Sequence, residues 1–178
     1  MANHFYVAQR VKDILNKNRG QILFLFILIL YSIVFSGIAI WRYENFLSGE
    51  SGDLLIFEQV IHNTLHGRPF YATGVGNEFS YHNSPILAIL VPFAAIIPAP
   101  YVLFLFTAFS IAVSAIPIYL IAKENLEKES LSLFIGTSYI MLPVFIGQVY
   151  GAFHEINLVL PFLTFAFYFF SKERFYPF

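Results

Sequence analysis

Apolar residues in this chain do not alternate with polar ones; they run in blocks. Residues 21–41, 101–122 and 131–153 contain no Asp, Glu, Lys or Arg. Each block is about long enough to cross a ~30 Å hydrocarbon layer as a helix. Residues 156–171 form a fourth, shorter candidate. The pattern predicts an all-α integral membrane protein with four transmembrane helices.

One apolar block behaves differently. "PILAILVPFAAIIPAP", residues 85–100, is interrupted by Pro92 and closed by Pro98. Its uninterrupted part suits a surface-lying or re-entrant helix better than a span. Just before it lies the polar stretch "SGDLLIFEQVIHNTLHGRPFY", residues 51–71. Leu54, Phe57, Ile61 and Leu65 share one side at helical spacing, and Glu58, His62 and His66 share another. This predicts an amphipathic helix from about Leu54 to His66, capped by Ser51 or Asp53 and ended by Gly67 and Pro69. Ser84 and Pro85 are the expected cap and first residue of the second surface helix.

The sparse charges orient these elements. Residues 1–20 carry Arg10, Lys12, Lys17 and Arg19 on an amphipathic pattern, so the positive-inside rule places this end in the cytoplasm. With residues 85–98 not crossing, eight of the ten Lys and Arg residues are cytoplasmic, Arg42 and Arg68 being outside. A crossing there would move Lys123, Lys128, Lys172 and Arg174 outside, against the rule. The expected order is a cytoplasmic N-terminus (1–20), a first span (21–41) and an outer loop with two surface-lying helices (42–100). A second span (101–122), a cytoplasmic turn (123–130), third (131–153) and fourth spans (156–171) and a cytoplasmic end (172–178) follow. The first span is read as an uncleaved signal anchor of the cell membrane.

Composition agrees with the pattern: 58% of residues are hydrophobic, 12% are charged, and mean hydropathy is +0.69. A soluble domain carries about 25% charged residues. There is no cysteine, which excludes disulfides and thiolate chemistry. No basic block points to nucleic acid.

The expected topology gathers His62, His66, His82 and His154 on the outer face, with Asp53 and Glu155. A wet helix face accounts for His62 and His66 without a ligand, and a zinc site on Glu58, His62 and His66 lacks a fourth donor. His154 and Glu155 stand in the tight connection "VYGAFHEINL" between two long apolar runs. Ionisable groups at membrane depth point to function.

The succession "GDLLIFEQVIHNTLHGRPFY", "YHNSPILAILVPFAAIIPAP" and "VYGAFHE" resembles the prokaryotic membrane family known as domain of unknown function 2079. That family usually has Gly two residues after the Asp, where this chain has Leu55. More distantly it resembles the integral-membrane glycosyltransferases of the C-type fold, such as oligosaccharyltransferases and protein mannosyltransferases. The resemblance implies an N-terminal part of that fold, with Asp53 as the essential acid of the first outer loop. It implies a divalent cation, Mg or Mn, held by Asp53, His154 and Glu155, and a polyprenyl-phosphate sugar donor in the bilayer. Glu58, Arg68 and His82 are the expected substrate contacts. C-type enzymes continue through many more spans, so the chain is expected to be truncated or a short relative. The alternatives are a non-catalytic assembly subunit and a transporter, the latter weakened by the lack of mid-span charge.

Overall fold

The computed structural model describes residues 18–48, 52–80, 82–151 and 153–172. The amphipathic N-terminus, apart from residues 18–20, lies outside the described residues, as do Ser51 and residues 173–178.

Two helices dominate. Helix α1, Arg19–Glu44, and helix α4, Ala99–Leu126, contain 26 and 28 residues. At 1.5 Å per residue they are roughly 39 and 42 Å long, enough to cross a bilayer. They enclose the first and second expected spans. Pro117 sits inside α4; it removes one backbone donor, yet the helix continues. Helix α4 is the hub, packing on α1, on α5 (Glu129–Ile140) and on α7 (Leu160–Lys172). Its apolar window is 56% buried against 28% for α1, so α1 offers most of its surface outward, as a lipid-facing helix does.

The third expected span is not one straight helix. Helix α5 ends at Ile140, and α6, Pro143–Gly151, starts after a break at Met141 and Leu142. The two are bent by 43°. Pro143 is the physical reason: without an N–H, and with a ring that crowds the preceding turn, it starts a helix more readily than it continues one. Together the pair is long and apolar enough to count as one broken span. The fourth expected span is a 3-10 turn, Glu155–Leu158, followed by α7 with 13 residues, a helix of roughly 20 Å. Two helices of the described residues therefore meet the length of a span, or three with the bent pair.

The outer loop contains α2, Gly52–Leu65, close to the expected helix. Leu54, Phe57, Val60 and Ile61 are buried and Leu65 is exposed. The buried face rests on the protein itself: Phe57 meets Phe153 edge-on at 5.1 Å, and α2 packs on α4 and on α3, Val91–Ala94. Burying each such side chain contributes about 1.5–3 kcal/mol relative to water. Gly67, at φ 82°, adopts the left-handed conformation of a helix end. A short antiparallel hairpin follows, β1 Tyr71–Ala72 paired with β2 Gly76–Asn77. It was not expected in an all-α reading. The residues expected as a second surface helix form a 3-10 turn, Pro85–Ile89, and the single turn α3. Two prolines and a Ser84 that does not cap keep this segment from becoming a regular helix.

Charge sorts to the two ends. One end holds Asp53, Glu78, His82, His154 and Glu155 around a single pocket. The other holds the pairs Lys123–Glu129 at 3.0 Å and Lys172–Glu124 at 2.6 Å.

Candidate functional site

Three pieces of backbone build the polar pocket. Asp53 stands in the first turn of α2. The N–H of Glu78 donates to Phe70 O at 2.7 Å, and Glu78 O accepts from the N–H of His82 at 2.7 Å. These bonds fix the short turn Glu78–Ser80 after the hairpin. The third piece is the extended Phe153–His154, where α6 has ended and the Glu155–Leu158 turn begins.

These segments enclose a cavity of about 240 Å³, lined by Asp53, Glu78, His82, His154 and Glu155 over an apolar floor that includes Phe57 and Ile156. Asp53 Oδ2 lies 3.9 Å from His154 Nδ1. Glu155 Oε1 accepts a hydrogen bond from the Ser84 hydroxyl at 3.0 Å and lies 3.6 Å from His82 Nδ1. Ser84, expected as a helix cap, thus holds Glu155 instead. Residues 71 positions apart are joined by this bond.

Glu78 is the most enclosed of the acids. It is 1% exposed, and neither carboxylate oxygen has a hydrogen-bond partner among the described residues. Burial pushes its pKa up; His82 opposes the shift, and Glu155 and Asp53 add to it. Sequence reasoning passed over Glu78, although "GNEFSYHNSP" places it four residues before His82 in a chain with few acids.

Other expected residues fall elsewhere. Glu58 does not line the pocket; it accepts a 3.4 Å hydrogen bond from the Tyr43 hydroxyl. Arg68 is exposed beyond the far end of α2. Asp53 is at the other end of this 14-residue helix, roughly 20 Å away along its axis. His62 and His66 are exposed, their rings 4.2 Å apart and tilted by 33° to each other.

The expected cation ligands fit Mg or Mn only in part, by chemistry and by placement alike. The carboxylate oxygens of Asp53 and Glu155 suit Mg or Mn, whereas an imidazole such as that of His154 suits Zn, Cu, Fe or Ni. Yet Glu155 is directed to Ser84 and His82 rather than toward Asp53. No three His, Asp or Glu side chains among the described residues are grouped to hold a metal ion.

A family model described as "Predicted membrane protein (DUF2079)" matches residues 42–175. The match spans the outer loop, the pocket and every helix after α1. The chain is a DUF2079 membrane protein. No curated protein and no solved structure matches it. The pocket of this DUF2079 chain draws all five of its ionisable residues from within the matched region.

Proposed function

We propose that this DUF2079 chain is a glycosyltransferase-like protein that moves a sugar from a polyprenyl phosphate to an acceptor hydroxyl at the outer face of the cell membrane. Its N-terminus is cytoplasmic, and α1, α4, the bent α5–α6 pair and the segment through α7 supply four crossings related to the C-type plan. The observation that carries this reading is the pocket itself. Asp53 and His154, 101 positions apart in sequence, stand 3.9 Å from each other beside apolar helix ends. A polar cavity at the end of a lipid-facing bundle suits a substrate with a polar head and a lipid tail.

Asp53 is half exposed and able to meet an acceptor. It takes the hydroxyl proton while the acceptor oxygen bonds to the anomeric carbon. The bond from that carbon to the phosphate oxygen breaks, and polyprenyl phosphate leaves with the electron pair. His154 faces that carboxylate at 3.9 Å, and Ser84 holds Glu155 by a hydrogen bond.

The test uses the full chain in proteoliposomes with a panel of polyprenyl-phosphate sugars, with and without Mg or Mn. Donor consumption is expected, with Asp53→Asn lowering turnover by about 100-fold or more. A chain that binds no donor and consumes none is instead a non-catalytic assembly subunit.

A further inference from the structure

The pocket poses an electrostatic problem for any anionic ligand. Its lining includes three carboxyl groups, Asp53, Glu78 and Glu155, and two imidazoles, His82 and His154, with neither Lys nor Arg among the described residues. A phosphate entering here would meet several negative charges if every acid were ionised. The Glu78 side chain carries the answer. It faces the cavity at 1% exposure, its backbone is pinned on both sides, and both its oxygens lack hydrogen-bond partners among the described residues. An unpaired polar group in such a place is costly, and an unpaired charge costs more. A neutral carboxyl carries one O–H, a donor that the ionised form lacks.

We propose that Glu78 is a hydrogen-bond-donating carboxylic acid that presents its proton to an anionic phosphate oxygen of the bound ligand. This deepens the sugar-transfer reading above and rests on it for the identity of the ligand. Asp53 and Glu78 then divide the work: the half-exposed acid accepts a proton, and the buried one donates a hydrogen bond. Four groups share the pocket with Glu78 and set its state. Asp53 and Glu155 favour the neutral acid, His82 favours the ionised form, and His154 sits against Asp53. No bond to Glu78 forms or breaks; its O–H is shared with the phosphate as the leaving group gains charge.

The experiment is infrared spectroscopy of the full chain in detergent, reading the carbonyl stretch of protonated carboxyls, which is distinct from that of carboxylates. As the pH rises above the ordinary carboxyl value of 4.5, the native protein is expected to keep this band after exposed carboxyls have lost theirs, Glu78→Gln to lack it there, and Asp53→Asn to keep it. Polyprenyl phosphate is expected to shift the band. Its affinity should fall about tenfold in Glu78→Ala and stay within about twofold in Glu78→Gln, whose amide still donates. Absence of the band from the native protein overturns the proposal without recourse to any variant, and so does its survival in a folded Glu78→Gln. A band that belongs to Glu78 but ignores polyprenyl phosphate overturns the assigned ligand. That outcome removes the sugar-phosphate reading as well, while the loss of the band alone leaves that reading standing.

Discussion

Glu78 shows how one side chain gives a loop a measurable pH dependence. In the unfolded chain its carboxyl titrates at the ordinary value of 4.5, whereas burial raises it in the folded protein. Between the two values the unfolded chain has released the proton and the folded chain still holds it. Raising the pH through this window therefore favours unfolding. Glu78→Gln removes the group, so its thermal midpoint should gain on that of the native protein as pH rises from below 4.5 toward neutral. A native protein that gains on the variant over that range would show that the carboxyl is ionised in the fold. Sequence alone did not single out Glu78, because the irregular "GNEFSYHNSP" has no helical or strand period to say which residues turn inward. His154 was legible for the opposite reason: it directly follows a long apolar run, where an ionisable residue stands out.

Among the elements, the charge-free runs marked α1 and α4 well, since a helix that satisfies its own backbone is the simplest way through lipid. They did not reveal the break between α5 and α6, although Pro143 was visible within the third run. Hydropathy counts residues and does not register a missing N–H. The packing of these helices depends on small residues that the apolar count also ignores. A Cβ added at Gly136 would stand 2.6 Å from Phe24 Cε2 and 3.1 Å from Tyr119 Cβ. Phe24 and Tyr119 are stacked at 4.4 Å and are almost fully buried, so neither ring has room to retreat. Gly136→Ala should therefore destabilise the bundle by about 1–3 kcal/mol, seen as a lower thermal midpoint. Gly147→Ala, in α6, meets no atom within 4 Å and serves as the control. Equal midpoints for the two variants would mean that α1 and α5 are not packed this closely.

At the scale of the whole molecule, the segregation of charge to two ends was the most legible feature, and it is also what makes a membrane-surface site possible. The acids and histidines of the pocket occupy one end, while Lys123, Lys172, Glu124 and Glu129 pair at the other. The contact between α2 and the α6–α7 connection was expected only as a shared face. Its detail, such as the bond from Ser84 to Glu155, depends on where a hairpin and a broken proline segment place the chain. Neither has a periodic signature.

Sugar transfer as proposed requires both halves of the pocket to open on the outer side of the membrane. The chain has no cysteine, so Leu55→Cys, Ile156→Cys and Ser130→Cys can each be probed in intact cells with a membrane-impermeant thiol reagent. All three positions are exposed: Leu55 stands two residues after Asp53 in the first turns of α2, Ile156 lines the pocket, and Ser130 follows Glu129 at the opposite end. The account predicts that Leu55→Cys and Ile156→Cys react from outside and that Ser130→Cys reacts only after the cells are opened. Reaction at Ser130→Cys in intact cells, with Leu55→Cys and Ile156→Cys silent until lysis, would place the pocket in the cytoplasm and contradict sugar transfer at the outer face.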